Sequence, residues 1–399
     1  MVQEMTLRET YLKQTWMRYP AMPAQCWIRG RITDVNLTQI KLDNGSVFEV
    51  KNAQMSEGDN NIQSLLNEGD LVSVNQVENT YIVTLLAPHL DQSIPSIPSE
   101  IIEKWNLFLN QIRQFFFTKK FLEIQTPTLV NCPGTEVYVD AYAVEKKFLP
   151  TSPEIHLKKA LACGYEKIFE IKNCFRKEEV TEHHQPEFYM LEWYRAFADL
   201  SSIKQDLIDL VHVLDRNQIV QIKNMQQLFL EQGMELSPKT TKEEFAGWAK
   251  NKNLHTHTSD TIDDLFFRIF VELIEPKLPK QPLIIENYPP FQAAYARIRP
   301  DGWADRFEFY WNGLEVANAF HEVNDPELQE IRMRTDLEKK QALGRKSVNL
   351  DPQFFQALKS GMPPSGGIAL GLERLFMAQN NLSKIQDLKL FPVRNLTGE

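Results

Sequence analysis

The segment RFEFYWNGLEVANAFHE holds two glutamates, Glu308 and Glu315, on either side of Asn312-Gly313. Asn-Gly supplies the positive φ angles of a two-residue hairpin turn, so the flanking apolar runs pair as strands. In that register Tyr310 faces Glu315, Glu308 shares the face of Tyr310, and the two carboxylates become diagonal neighbours. Like charges that close repel unless a divalent cation or a polyvalent base neutralises them. Hard oxygen ligands suit magnesium, which typically takes one or two carboxylates together with substrate phosphates. Strict alternation puts Asn318, Phe320 and Glu322 on the other face. They reach the same pocket only if a bulge or bend intervenes.

A second segment, FEIKNCFRKEEVTEHHQPEFYMLEWYRAF, sets a polar loop between two strand-like runs. Arg176 and Glu178, two apart, share a face in extended chain. An arginine can grip phosphate oxygens bidentately and a carboxylate can accept from an exocyclic amine. A salt-bridged hairpin accounts for the same two residues equally well. Glu192 and Tyr194 repeat the two-residue spacing inside an apolar run, where an unpaired carboxylate is costly to bury. A buried cation or a ligand would explain it.

In Thr151-Ser152-Pro153-Glu154, Ser152 is a good N-cap, Pro153 suits the first helical position and Gly164 can end the helix. Glu154 then stands in the first turn, where it either serves chemistry or complements the helix dipole. In SGGIALGLERLFM, Gly366, Gly367 and Gly371 permit close approach to backbone or simply tight packing, with Arg374 opening a helical pattern. No GxxxxGK[ST] or GxGxxG occurs, so P-loop and Rossmann readings lack support.

These residues need a scaffold. Long helical patterns over 157–163, 201–215 and 260–274 alternate with the strand runs, several of them joined by hairpin-like turns. That pattern favours an antiparallel sheet with flanking helices in an α+β layer. Ile101, Trp105, Phe108, Ile112 and Phe115 recur on one helical face, as core or as an interface. Upstream, residues 26–87 read as five short strands, with a hairpin turn at Asp43-Asn44-Gly45 and a helical patch at 62–66. A small OB-like barrel fits. The Pro- and Ser-rich stretch APHLDQSIPSIPS reads as a linker, so residues 1–90 and 91–399 are the expected domains.

Composition sets the outer bounds. The chain has 399 residues, 43% hydrophobic and 24% charged, which is ordinary for a globular protein. No apolar run approaches the roughly 20 residues of a membrane span. The opening MVQEMTLRETYLKQTW lacks the apolar core of a signal peptide, and the four cysteines show no CxxC spacing. A cytoplasmic setting is therefore expected. The net charge of −9 counts mildly against nucleic acid as the main partner.

Taken in order, the segments resemble the three signature motifs of class II aminoacyl-tRNA synthetases. The helix leading to FLEIQTPTLV, with Pro127, resembles motif 1; FRKEE…HHQPEF resembles motif 2; GIALGLERL resembles motif 3. TSPE, MLEWY and EVANAFHE are similar to the lysine-specific branch, and above all to the elongation factor P β-lysyltransferases, its truncated paralogues. The resemblance implies that Ser152, Glu154, Glu192, Tyr194, Asn318, Phe320 and Glu322 hold the substrate. Ala369, where lysyl-tRNA synthetases usually carry glycine, would favour β-lysine over α-lysine. It also implies an ATP site. Arg176 would take the α-phosphate, Glu178 the adenine amine, Phe188 the adenine ring and Arg374 the phosphate tail. Lys177, His184, Gln185, Glu315, Val316 and Gly371 complete that site, Glu308 and Glu315 would hold Mg2+, and Arg176, Glu178 and Arg374 would be the catalytic set. Three carboxylates in one pocket would suit a cationic substrate only. The implied acceptor is a lysine of elongation factor P and the implied assembly a homodimer; ligation of α-lysine to tRNA is the alternative. The chain departs from the pattern at Gln185, Ala319 and Glu373, and by carrying a β domain that the β-lysyltransferases typically lack.

Overall fold

The computed structural model describes residues 28–35, 39–42, 46–49, 53–55, 66, 68, 70–77, 79–87, 99–177 and 180–389. The chain divides into two compact units, Met1–Asn106 with Leu388–Phe391, and Leu107–Asp387 with Pro392–Glu399. The expected linker, apart from its two end residues, and the domain boundary inside it lie outside the described residues, as do Cys26 and the Asn44-Gly45 turn.

The first unit contains β1 (Ile28–Val35), β2 (Gln39–Leu42), β3 (Val47–Glu49), β4 (Ala53–Met55), β5 (Leu71–Val77) and β6 (Thr80–Ala87). They form one sheet in the order β3-β2-β1-β5-β6-β4, consistent with the OB-like domain expected. The short β4 run, Ala-Gln-Met, carries too little pattern to be read as a strand, which is why five were expected. Ile32, Ile40, Leu42, Phe48, Leu66, Val72, Val74 and Val83 form its core. Leu66 is the one described residue of the expected helical patch.

The second unit is built on an eight-stranded sheet. Its strands are β7 (Leu122–Glu123), β10 (Lys167–Phe175), β11 (Glu187–Ala196), β12 (Gln221–Asn224), β13 (Leu283–Tyr288), β14 (Ala304–Trp311), β15 (Leu314–His321) and β16 (Ser365–Gly371); β8 (Ala143–Val144) and β9 (Lys147–Phe148) pair separately. The order is β12-β13-β14-β15-β16-β11-β10-β7. The six central strands are antiparallel as expected, whereas both edge strands run parallel to their neighbours.

The helices are α1 (Ser99–Thr118), α2 (Glu154–Ala162), α3 (Leu200–Leu214), α4 (Met225–Leu230), α5 (Lys242–Asn251), α6 (Ile262–Ile269), α7 (Pro326–Ala342), α8 (Pro352–Gly361) and α9 (Leu372–Asn380). Phe108, Ile112 and Phe115 of the α1 stripe are buried, so that face is core. Phe116 stacks on Phe169 and meets Trp193, which brings α1 onto one side of the sheet. Against that side α3 approaches so closely that a Cβ on Gly366 would stand 3.0 Å from the Asp199 carbonyl. The other side is left to the site. A separate apolar cluster, including Phe229, Phe245, Phe266 and Ile285, seats α4, α5 and α6. No helix among the described residues is long and apolar enough to cross a membrane.

Candidate active site

Cross-strand registry lays the key residues in two rows. Glu192 pairs with Ala369, Ala369 with Asn318 and Asn318 with Glu308. Two residues further along each strand, Tyr194, Gly367, Phe320 and Arg306 form the next row. Residues two apart on a strand share a face, so both rows open to one side. Tyr310 faces Glu315 as expected, and Asn312 and Gly313 carry the positive φ angles of the turn, 53° and 78°. The required bulge is present: Phe309 pairs with Ala317 but Tyr310 with Glu315, leaving Val316 as the extra residue. It rotates Glu315 onto the face of Asn318 and Phe320.

On this face lies a cavity of about 320 Å³. Among the expected residues, Ser152, Glu154, Arg176, His184, Gln185, Phe188, Glu192, Glu315, Val316, Asn318, Phe320, Ala369, Gly371 and Arg374 line it. Tyr194, Glu308 and Glu322 are buried one layer behind. Lys177 instead lines a neighbouring basic cleft with Lys340 and Arg345, because its backbone N–H is tied to the Asp140 carbonyl at 2.8 Å. Glu178 lies outside the described residues.

One end of the cavity is cationic. The Arg176 guanidinium lies over the Phe188 ring at 5.1 Å, and its Nε has no hydrogen-bond partner among the described residues. Arg374 donates to the Glu315 carbonyl at 2.8 Å and contacts His184 Nε2. Burial, with Arg374 and then Arg176 beside it, pulls His184 down to about 4, so a neutral ring meets the arginine. Burial first and Glu308 second push the Glu315 carboxyl up to about 7. No hydrogen bond or ion pair reaches that carboxylate among the described residues, and an added cation would relieve it.

Glu308 is a different case, because one of the two neutralising partners the pair was expected to need, a base, is already built in. Arg306 donates to one of its oxygens, and the hydroxyls of Tyr288 and Tyr310 donate to the other at 2.6 and 2.8 Å. Arg306, itself buried, also bonds Asn318 at 3.1 Å. An internal arginine therefore neutralises Glu308 and sets the orientation of Asn318, leaving Glu315 as the carboxylate that fits a metal ion.

The opposite end is acidic, but it too holds an internal cation. Lys158 is 1% exposed; its Nζ lies 2.6 Å from Glu154 and 2.7 Å from Glu322. Burial nevertheless holds Glu322 up at about 7, Lys158 acting against it. The inference that three carboxylates require a cationic substrate is thus corrected, because two of them already share a lysine. Glu192 accepts from the Tyr194 hydroxyl at 2.9 Å and has no cation at bonding distance among the described residues. Burial, followed by the nearby Glu154, raises its pKa well above the usual carboxylate range. Gly367 makes this layer possible, since a Cβ there would collide with the Glu322 carboxylate and the Tyr194 ring.

The helix carrying Glu154 starts one residue later than expected. Pro153 is its N-cap, and Ser152 Oγ accepts from the Glu154 N–H at 3.4 Å. Lys158, Arg306, Glu136 and Tyr295 escaped the sequence reading. Lys158 follows Glu154 by four residues on α2, a spacing that puts two side chains on one helix face and could have flagged it. Arg306 precedes Glu308 by two on its strand, which puts both on one face; Glu136 and Tyr295 carry no such local signal.

A family profile described as tRNA synthetases class II (D, K and N) matches residues 86–395. The protein named elongation factor P--(R)-beta-lysine ligase of Haemophilus influenzae (strain PittGG) is 33% identical over 316 residues, 75% of this chain and 97% of that protein. Proteins of the same name from Proteus mirabilis (strain HI4320) and Klebsiella pneumoniae (strain 342) are each 32% identical; the matches cover 71% and 75% of this chain, and 92% and 97% of theirs. With the profile matched over more than half of the chain, and relatives matched over nearly their whole length, this chain belongs to the class II tRNA synthetases (D, K and N).

Proposed function

We propose that this protein uses ATP to activate (R)-β-lysine as an adenylate and passes the acyl group to a lysine side chain of elongation factor P. The observation that carries the reading is the position of Ala369. Its methyl projects from the row between Glu192 and Asn318, in the floor of a cavity acidic at one end and cationic at the other. A floor raised by one methyl suits a chain whose amine is shifted away from the carboxyl. The names of the relatives point to the same substrate and acceptor.

In the first step a carboxylate oxygen of the amino acid attacks the α-phosphorus; the bond to the bridging oxygen breaks and pyrophosphate leaves. Arg176, with its unengaged Nε, would meet the developing charge at the α-phosphate, Phe188 the adenine and Arg374 the phosphate tail. In the second step an acceptor amine attacks the acyl carbon, AMP departs and the amine loses a proton to solvent. Positioning and charge neutralisation supply most of the rate in such transfers. Magnesium, held at Glu315, would neutralise phosphate charge; Glu308 would join only by releasing Arg306. Residues 91–399 would be the catalytic domain, residues 1–90 an OB-like domain, and the assembly a cytoplasmic homodimer.

ATP–pyrophosphate exchange with (R)-β-lysine, α-lysine and the other amino acids tests this reading. Strong preference for (R)-β-lysine is expected, followed by acyl transfer to elongation factor P. Preference for α-lysine would overturn it in favour of tRNA ligation, for which the first β-sheet unit would be the natural tRNA-binding candidate.

A further inference from the structure

The carboxylates around the cavity can be accounted for one by one. Glu154 and Glu322 share Lys158, Glu308 has Arg306, and Glu373 accepts from the Tyr189 backbone N–H at 2.9 Å. Glu315 faces the cationic end. Glu192 and Glu136 remain as acids with no cation at bonding distance among the described residues. Glu136 lines the cavity, and its carboxylate has no side-chain partner among the described residues beyond its own backbone N–H.

The loop that carries Glu136 is anchored with care. Lys340, 3% exposed, donates to the carbonyls of Glu136, at 3.2 Å, and Val139, and lies 3.5 Å from Asp140. Arg345 holds the Tyr138 carbonyl at 3.1 Å and Asp140 at 2.8 Å. These cations bond the loop's carbonyls and Asp140; Lys340 acts on the Glu136 carboxyl only through space, with no ion pair between them among the described residues. Gly134, at φ +145°, has no Cβ to collide with the Glu136 carboxylate. A fixed loop that delivers a half-buried, unpaired acid into a pocket offers a partner to a cation arriving from outside, since burial makes the charge costly to leave unpaired.

The two acids sit in different surroundings. Glu192 feels the charges of Glu154, Lys158 and Glu322; Glu136 feels those of Glu154, Arg176 and Lys340, Arg176 being the arginine assigned to the α-phosphate that the substrate carboxyl attacks. We propose that Glu136 is the specificity-determining residue for the amino group nearest the substrate carboxyl, the β-amine of (R)-β-lysine, while Glu192 and Tyr194 take the distal amine. This rests on the diamino-acid reading of the cavity.

The test is Glu136→Gln, near-isosteric and with its backbone anchors intact, in pyrophosphate exchange with (R)-β-lysine and with 6-aminohexanoate. The latter keeps the distal amine and lacks the other. The expected result is a KM for (R)-β-lysine raised on the order of 10- to 100-fold, the range for a lost charged hydrogen bond. The KM for ATP and that for 6-aminohexanoate stay within about twofold, so discrimination between the two acids collapses. Equal change for both substrates, or no change, would overturn the assignment even if the wild type is active with (R)-β-lysine. A wild type inactive with every diamino acid would overturn the underlying function and this role with it. Unchanged thermal unfolding of the variant separates either result from misfolding.

Discussion

Replacing Lys158 by methionine keeps most of its length and removes the charge that Glu154 and Glu322 share. The lysine and Glu322 are each 1% exposed, Glu154 is 19% exposed, and the ion-pair distances are 2.6 and 2.7 Å. Removing one partner of a buried pair costs about 3–5 kcal/mol, chiefly because the remaining charge is stranded. Two carboxylates are stranded here, but the more exposed Glu154 can hydrate or protonate, so the same range is expected. Against a total margin of about 5–15 kcal/mol, that is a large fraction. The sign with pH follows from the shifts. Burial, opposed by Lys158, holds Glu322 up at about 7; without the lysine it moves higher still, so the cost of losing Lys158 is smallest where Glu322 is protonated and grows as pH rises above 7. The pKa of Lys158 is raised, so the lysine itself stays charged throughout that window. Urea unfolding at pH 8 should therefore show a clear loss, and at pH 5 a smaller one. Adding Glu322→Gln should recover about half of it at pH 8. A loss below about 1 kcal/mol at pH 8, or no recovery in the double variant, would refute the internal-cation account.

Glu315→Gln should abolish adenylate formation, measured by pyrophosphate exchange, and retained exchange would sink the metal assignment. The same variant should be the more stable protein above pH 7 by roughly 3 kcal/mol, since about 2.5 pKa units of burial cost disappear, and level with wild type below pH 4.5. Ala369→Gly should shift the ratio of kcat/KM values toward α-lysine; an unchanged ratio removes the methyl from the specificity argument. Gly367→Ala should lower stability by about 1–3 kcal/mol through overpacking against Glu322 and Tyr194, and a wild-type melting temperature would show that this layer yields easily.

Much of the scaffold was legible because the information is local. Asn312-Gly313 dictates a turn from backbone sterics, the turn sets the register of β14 and β15, and the register brings Tyr310 opposite Glu315. Helical periodicity placed α2 and α3 to within three residues at each end. Parity along β15 even stated the need for a bulge, though not where it would fall.

Side-chain electrostatics were less accessible, since partners distant in sequence decide them. Glu308 read as half of a repelling pair although Arg306 stands two residues away on its strand, because spacing alone does not say that the guanidinium turns back onto it, with Tyr288 donating from β13. The basic cleft that takes Lys177 is closed by residues of α7 and the loop after it, far along the chain. The sequence by itself determined which residues carry charge, which strands pair through tight turns, and that acids and arginines recur in an order resembling one synthetase family. Only the tertiary structure decided which of those charges cancel internally. Lys158 meets Glu154 one helical turn away but Glu322 across the fold, and Glu136 has no ion pair among the described residues because Lys340 bonds its backbone instead. Such balances depend on distances of a few ångströms in a low-dielectric interior, which spacing along the chain does not encode.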